Sequence, residues 1–294
     1  MIEFIIATIL ILNPIAAPAA EIFDFNSETS GPQKIENNNL GVELTASNFL
    51  IKDIKSNKIL FGKDYDQPRP IASITKLMTA MVFIDTEPDW GKEVILEERD
   101  ETNGAYPHIY RGEKITVSDL FNAMLISSDN NSAKALVRST EMSEKLFVKK
   151  MNNKAKELGL KNTKFYDVIG LSPGSISTSE EVASLLMAAL ENDIIAKSIS
   201  QKAYSFSILN SEKSRNVTAT NKLIESFLNS EKEGYEIIGG KTGFLPEAGG
   251  CLAIVVEKDG HKIISVVLGS SNYETRFHDT KALVDWTFLN YEWR

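Results

Sequence analysis

The chain has 294 residues, which is enough for one large domain or two modest ones. Charged residues make up 24% and apolar residues 43% of it, an ordinary balance for a globular protein that excludes wholesale disorder. The formal net charge is −8 and no basic run stands out, which argues against a nucleic-acid-binding protein. The single cysteine, Cys251, excludes an intramolecular disulfide and lies in an apolar stretch typical of a core.

The first twenty residues have the pattern of an export signal. Residues 1–12 are nearly all apolar, and Ala17-Pro18-Ala19 supplies the small residues that a signal peptidase prefers. The segment departs from the usual pattern in carrying Glu3 and no Lys or Arg, and Pro14 disfavours a stable spanning helix. We expect residues 1–20 to be a signal peptide or an N-terminal membrane anchor, which places the protein outside the cytoplasm, in the periplasm or at the cell surface.

Residues 21–43 are mostly polar and are expected to form a linker, followed by a folded domain over residues 44–294. Apolar patterning predicts strands over 47–53 and 58–62, joined by a tight turn in which Asn57 is left-handed. A helix is predicted from Ser73 to about Asp85. Its apolar face is formed by Leu77, Met78, Ala80, Met81 and Ile84.

The middle of the chain has helical periodicity, and its C-terminal part returns to strands. Helices are predicted over 118–126, 131–140, 143–158 and 179–192. Strands over 235–242, 251–257 and 261–269 precede a last helix over 275–291, and Asp259-Gly260 joins the second and third strands. This order predicts an α+β fold. An antiparallel sheet built from both chain ends would be flanked by helices, with an inserted, mostly helical subdomain and a cleft between the two parts.

Ser73-Ile74-Thr75-Lys76 is the only Ser-x-x-Lys segment in the chain. Residues three apart share one face of a helix, so the Lys76 amine can reach the Ser73 hydroxyl. A serine needs a base to act as a nucleophile, and the helix N-terminus would stabilise an oxyanion beside it. Lys76 would have to be neutral, which burial favours. Taken alone, the motif favours a helix start with a solvated lysine, because Ser-x-x-Lys is a common chance match.

Two more motifs could complete a site. Ser128-Asp129-Asn130 falls between two predicted helices, where its hydroxyl and amide can face one cleft, although all three residue types also favour helix caps. Lys241-Thr242-Gly243 ends a predicted strand and occurs once. Lys and Thr can hold a carboxylate, a strand can pair with an extended peptide, and Gly243 lets another backbone come close. The alternative is a strand that runs into a turn.

In this order, the three motifs are the signature of penicillin-binding proteins and class A β-lactamases. The chain resembles the low-molecular-weight D-alanyl-D-alanine carboxypeptidases of that superfamily. The resemblance runs from about residue 45 to the end of the chain. It includes the segments 49–53, 72–80, 170–172, 177–178, 220–223, 240–244, 248–251, 266–269 and 276–277.

The resemblance implies a β-lactamase/transpeptidase-like fold and a serine-type carboxypeptidase that removes the terminal D-alanine of peptidoglycan stem peptides. Ser73 would attack the D-alanyl-D-alanine peptide bond and form the acyl-enzyme, and Lys76 would accept its proton. Ser128 would relay a proton to the leaving D-alanine before water hydrolyses the acyl-enzyme. β-Lactams would act as covalent inhibitors on Ser73. No metal, organic cofactor or nucleic acid is expected.

The resemblance also implies the substrate contacts. Asn130 would bind the substrate amide, and Lys241 and Thr242 would hold the terminal carboxylate, with Arg276 adding charge. The backbone N–H groups of Ser73 and Phe244, which follows Gly243, would form the oxyanion hole. Leu245 stands where many members have a threonine. The chain resembles the shorter members with a single domain, in which membrane attachment would come from the N-terminus.

Other functions remain alternatives. A DD-transpeptidase or endopeptidase of the same family would use the same site. A non-catalytic module that senses muropeptides or penicillin is disfavoured, because Ser73, Lys76, Ser128 and Lys241 are all present. A class A β-lactamase would need a Glu-x-x-Leu-Asn segment, and the one match, at Glu225, lies too near the Lys241 strand. The three histidines fit no Ser-His-Asp or metal pattern.

Overall fold

The computed structural model describes residues 31–36, 39, 41–102 and 107–293. The predicted signal, residues 1–20, and the first part of the predicted linker lie outside these ranges. The helices are α1 (Thr75–Ile84), α2 (Val117–Ile126), α3 (Asn130–Ser139), α4 (Glu144–Glu157), α5 (Ser179–Leu190), α6 (Asp193–Ser200) and α7 (Thr275–Asn290). The strands are β1 (Gln33–Lys34), β2 (Asn48–Asp53), β3 (Ile59–Lys63), β4 (Arg69–Pro70), β5 (Glu93–Ile95), β6 (Lys114–Thr116), β7 (Ile176–Ser177), β8 (Ala203–Ser207), β9 (Ser214–Thr218), β10 (Tyr235–Leu245), β11 (Gly249–Lys258), β12 (His261–Ser270) and β13 (Tyr291–Glu292).

The main sheet has five strands in the order β10-β11-β12-β2-β3, and every neighbouring pair is antiparallel. Strand β12 pairs with β2, so that Val266 lies opposite Leu50. The turns of the β2–β3 and β11–β12 hairpins use left-handed residues, Asn57 with φ of 58° and Asp259 with φ of 51°. The predicted antiparallel sheet built from both ends of the chain is therefore confirmed.

Both faces of this sheet are buried. Along β11, Leu252, Ile254 and Val256 pack into one apolar cluster together with Leu283 and Val284 of α7. Ala253 and Val255 point the opposite way, into a larger cluster that contains the helices between β3 and β10. Because side chains alternate across a strand, a near-continuous apolar run is what a strand covered on both faces requires.

Helix α1 lies inside the larger cluster, and its residues from Thr75 to Phe83 are all buried. A helix that is apolar on all sides belongs in a core rather than on a surface. Lys76 is the only charged residue of this helix, and it is fully buried with the rest. The fold therefore carries one lysine into the interior beside the residue that begins the Ser-x-x-Lys motif.

Every helix and strand predicted from the sequence is present, with bounds that differ by no more than three residues. The hairpin β8–β9 and helix α6 were not predicted. Each strand of that hairpin buries a single apolar side chain, Phe206 or Val217, which is too weak a pattern to read. Within the range predicted as a linker, Gln33 and Lys34 pair with Glu292 and Tyr291. No helix in the described ranges is long and apolar enough to cross a membrane.

Candidate active site

Ser73 lies in a single 3-10 turn, Ala72–Ile74, directly before α1. The predicted helix therefore begins two residues later than expected, and Ser73 sits on the tighter turn at its N-terminus. Ala72 adopts a φ of 47°, a conformation that residues other than glycine rarely take. Unusual backbone of this kind persists where the surrounding structure holds it, and it is often found at functional sites.

Lys76 has no solvent exposure, and its Nζ has three neutral partners. It donates to Ser73 Oγ at 3.0 Å, to Asn130 Oδ1 at 2.7 Å and to the Ile169 carbonyl at 2.8 Å. Burial lowers the pKa of Lys76 to about 7, and the negative charges of Asp129 and Asp167 oppose that shift. The amine that faces the serine therefore titrates near neutral pH.

The second motif forms the link between α2 and α3. Ser128 has a φ of 61°, which turns the chain sharply after α2. Asp129 caps α3 by accepting from Ser132 N at 2.7 Å, so this residue plays the helix-cap role that its type favours. Asn130 is the first residue of α3, and its side chain reaches Lys76. Ser128 directly precedes this cap residue and Asn130 directly follows it. Their side chains contact Lys241 and Lys76, respectively.

Lys241 lies on β10 and is 1% exposed. Its Nζ donates to Ser128 Oγ at 2.9 Å and to the Thr242 carbonyl at 3.2 Å. Burial holds the pKa of Lys241 well below its ordinary value, and the positive charges of Lys76 and Arg276 lower it further. Lys241 therefore connects the second and third motifs directly.

Strand β10 passes very close to the 3-10 turn. A Cβ added to Gly243 would lie 2.7 Å from the Ile71 carbonyl oxygen and 3.2 Å from Ser73 N, so only glycine fits there. Arg276, which is 1% exposed, donates from Nη1 to the Gly243 carbonyl at 2.8 Å. Its guanidinium thus lies against the strand, and Phe244 beyond Gly243 is 40% exposed.

These contacts link eight of the nine predicted site residues, and the ninth, Phe244, follows Gly243 on β10. The structure also adds residues for which no role is predicted from the sequence. The Ile169 carbonyl is a partner of Lys76, and Gly170 lies against Ala72, since a Cβ there would come 2.0 Å from the Ala72 carbonyl oxygen. Thr220 Oγ1 lies 2.6 Å from Thr242 Oγ1. Gly170 and Thr220 fall in segments that carry the family resemblance, which was the available signal. A backbone carbonyl such as that of Ile169 leaves no trace in side-chain patterns.

Two residues that the sequence analysis set aside have unremarkable surroundings. The Glu225 side chain is 63% exposed and pairs with Lys202 at 2.7 Å. Cys251 is fully buried, and burial raises the pKa of its thiol to about 11, so the thiolate is scarce at neutral pH. Within the described ranges, no group of His, Cys, Asp and Glu side chains could hold a metal ion.

The site therefore has a serine hydroxyl facing a buried amine, with a second buried lysine and an arginine alongside. Cations in a cleft suit a substrate that carries a carboxylate. This constellation, on an antiparallel sheet with an inserted helical part, defines a serine acyl-transfer enzyme of the β-lactamase/transpeptidase-like fold.

Comparisons with known proteins narrow that class. Residues 33–272 match the family described as D-alanyl-D-alanine carboxypeptidase, and the chain belongs to this family. The chain is 30% identical to the D-alanyl-D-alanine endopeptidase of Escherichia coli, covering 83% of this chain and 77% of that protein. It is also 30% identical to the D-alanyl-D-alanine carboxypeptidase DacF of Bacillus subtilis, covering 81% of this chain and 60% of that protein.

Solved structures agree with this assignment. The DD-transpeptidase of Streptomyces K15 superposes with a TM-score of 0.76 at 26% identity, covering 84% of this chain and 98% of that one. Penicillin-Binding Protein D2 from Listeria monocytogenes, in an ampicillin-bound form, superposes with a TM-score of 0.72 at 27% identity, covering 85% of this chain and all of that one. The protein is thus a serine-type D-alanyl-D-alanine carboxypeptidase, a hydrolase of peptidoglycan stem peptides.

Proposed function

We propose that Ser73 is the nucleophile of this carboxypeptidase and that Lys76 is its general base. The observation that carries the proposal is the fully buried Lys76 amine, which lies 3.0 Å from Ser73 Oγ. At a pKa of about 7, about half of the Lys76 amine is neutral at pH 7, whereas an ordinary lysine is neutral in fewer than about one molecule in a thousand. The burial of Lys76 therefore supplies a usable base.

In the acylation step, Ser73 Oγ bonds to the carbonyl carbon of the D-alanyl-D-alanine bond while its proton passes to Lys76 Nζ. The C–N bond then breaks, and the leaving D-alanine takes up a proton. We assign the delivery of that proton, which Lys76 holds after the attack, to Ser128, whose hydroxyl accepts from Lys241 Nζ at 2.9 Å. Water adds to the acyl-enzyme and releases the shortened peptide, which restores Ser73.

The terminal carboxylate of the substrate would bind at Lys241 and Thr242, and Asn130 would hold the substrate amide. Arg276 adds positive charge through its contact with the Gly243 carbonyl. The N–H groups of Ser73 and Phe244 would stabilise the oxyanion, for which donors fixed in advance are the effective kind. A charge-assisted contact to that carboxylate would offset the cost of burying Lys241, whereas the burial of Lys76 serves to keep its amine neutral.

The test is covalent labelling. Purified protein that lacks residues 1–20 is incubated with a fluorescent penicillin and analysed by intact mass, beside a Ser73→Ala variant. We expect one adduct per chain, absent from the variant, and release of D-alanine from a peptide ending in D-alanyl-D-alanine. An adduct that survives in Ser73→Ala, or no adduct on folded protein, would refute the assignment.

A second activity, endopeptidase cleavage of cross-linked peptides, is favoured by a separate observation. Relatives from Escherichia coli and Pseudomonas aeruginosa, 30% and 31% identical to this chain, are named D-alanyl-D-alanine endopeptidase. Both reactions pass through the same acyl-enzyme and differ in the leaving group, which is free D-alanine or the amine through which a second stem peptide is cross-linked. Rates measured side by side on monomeric and cross-linked muropeptides would rank the two activities.

We also propose that the protein works outside the cytoplasm, where its substrate lies. The support is the apolar segment over residues 1–12 with Ala17-Pro18-Ala19 after it. Expression of the full chain in a bacterial host, followed by fractionation and N-terminal sequencing, tests this. A new N-terminus near residue 20 would identify a cleaved signal, an intact N-terminus in the membrane fraction would identify an anchor, and cytoplasmic protein would contradict export.

A further inference from the structure

The loop over residues 167–172 is organised by one carboxylate. Asp167 accepts hydrogen bonds from the backbone N–H groups of Ile169, Gly170 and Ser172, the first at 2.8 Å. A carboxylate that collects several N–H groups fixes the local path of the chain, because each bond is charge-assisted. Asp167 belongs to none of the three motifs, and its hydrogen bonds go to the backbone of its own loop.

Two residues of this loop, Ile169 and Gly170, lie next to the proposed base and the proposed nucleophile. The Ile169 carbonyl points at Lys76 Nζ at 2.8 Å, and Gly170, with a φ of 81°, lies against the Ala72 carbonyl. Both residues donate their own N–H groups to Asp167. The same carboxylate therefore holds the group that binds the Lys76 amine and the glycine that packs beside Ser73.

The two acceptors around the Lys76 amine determine the direction of its lone pair. A neutral amine has two hydrogens and one lone pair. The Asn130 Oδ1 and the Ile169 carbonyl, at 2.7 and 2.8 Å, are acceptors and take the two hydrogens. The protonated amine donates its third hydrogen to Ser73 Oγ at 3.0 Å, so once that hydrogen is lost the lone pair takes its place and faces the serine, where the proton must be accepted.

We propose that Asp167 is a positioning residue for acylation, holding the Ile169 carbonyl so that the lone pair of Lys76 is directed at the Ser73 hydroxyl. The inference rests on the proposed roles of Ser73 and Lys76. Without the Asp167 carboxylate the loop loses its shared acceptor, the Ile169 carbonyl is released, and the amine can rotate its lone pair away from the serine. General-base catalysis depends on that geometry before it depends on basicity.

Asp167 also acts on the charge of the amine. The ionised groups that bear on Lys76 are Asp129 from the cap of α3, Asp167 from this loop and Lys241 from β10. Asp167 favours the protonated amine and so raises its pKa against the larger effect of burial. Removal of this charge should move the pKa of Lys76 down. The acylation rate rises with pH as the Lys76 amine becomes neutral. This rising limb of the pH–rate profile should therefore move to lower pH.

The experiment compares the wild-type enzyme with Asp167→Asn and Asp167→Glu. The control is Asp259→Asn, an exposed left-handed turn position where asparagine is well tolerated. The rate of acylation by fluorescent penicillin is measured from about pH 5 to about pH 9, with the melting temperature of each variant. Asp167→Asn should lower the plateau rate about tenfold or more and shift the limb to lower pH. Asp167→Glu should lower the plateau but leave the limb near its wild-type position, because the charge is kept and the reach is changed.

Four results would overturn the inference. Asp167→Asn could match the wild type in both plateau and limb. Its plateau could fall while its limb stays in place, which would be a purely structural effect. If Asp167→Asn does not fold, a wild-type plateau in Asp167→Glu would refute the positioning role. A wild-type enzyme that is not acylated at Ser73 would overturn the proposed function as well, and that outcome is separate from variants that merely behave like the wild type.

Discussion

The sharpest prediction concerns Gly243→Ala, because β10 passes close to the 3-10 turn Ala72–Ile74 that contains Ser73. The added methyl carbon would lie 2.7 Å from the Ile71 carbonyl oxygen, 3.1 Å from Ala72 Cβ and 3.2 Å from Ser73 N. The first distance is about 0.7 Å shorter than an ordinary contact, and two of the three neighbours are backbone atoms, which have little freedom to move. The strand must therefore shift away from Ser73.

The size of the effect follows from what this strand carries. Lys241, Thr242 and Phe244 move with Gly243, so the proposed carboxylate site and one proposed oxyanion donor are displaced together by several tenths of an ångström. A misplacement of about 1 Å costs about 100-fold in rate, so we expect acylation to fall roughly 10- to 100-fold. Overpacking of this kind costs about 1–3 kcal/mol of stability, which leaves room for a folded protein.

The assay is the second-order rate of acylation by a fluorescent penicillin, measured at a temperature where circular dichroism shows the variant folded. Gly91→Ala is the matched control, because Gly91 is exposed and its added Cβ would meet only Asp89 Oδ1 at 3.5 Å. The control should react at the wild-type rate. If Gly243→Ala also reacts within about twofold of wild type, the close-approach argument is wrong, since a shift of this size should cost far more.

Three further predictions concern charge. Because only neutral Lys76 accepts a proton, acylation should rise with pH through a midpoint near the pKa of about 7 and fall about tenfold per pH unit below pH 6. A rate independent of pH between about 5 and 8 would exclude Lys76 as the base. Lys241→Met removes the donor to Ser128 Oγ and should lower acylation about 100-fold in an enzyme that melts no lower than wild type, whereas a rate near that of wild type would remove Lys241 from the site. Arg138→Met leaves Asp100, which is 1% exposed, without its bidentate partner. It should destabilise the fold by about 2–3 kcal/mol in chemical denaturation without changing acylation of the folded enzyme, and an unchanged denaturation midpoint would contradict this.

The regular elements could be predicted from the sequence because their periodicities are strong. The apolar run of β11 and the Asp259-Gly260 turn specify a hairpin by themselves, and the patterns of α2 to α5 gave bounds within two residues. Helix α6 follows α5 after a break of only two residues and has just eight of its own, so its pattern merges with the end of α5. The hairpin β8–β9 is largely solvated, and solvated strands carry little apolar signal.

The site also has a part that could be predicted from the sequence and a part that could not. Ser73, Lys76, Ser128, Asn130 and Lys241 could be named because side chains of particular types recur in three short motifs. The groups that hold these side chains in position could not be predicted, because they are backbone groups or act through backbone groups. The Ile169 carbonyl and the Asp167 carboxylate depend on the path of one loop, which only the folded chain defines.

The pairing of β2 with β12 affects when the enzyme can fold during its synthesis. Leu50 and Val266 are neighbours in the sheet although more than two hundred residues separate them along the chain. Contacts of such long range form late and slowly, because a long loop must close before they stabilise anything. A chain that has been synthesised only as far as α3 already holds Ser73, Lys76 and Asn130, but it lacks β10 and also β12, one of the two strands that pair with β2. We therefore expect no hydrolytic activity from a chain that stops before β10, because Lys241 and three of the five strands of the main sheet are then missing.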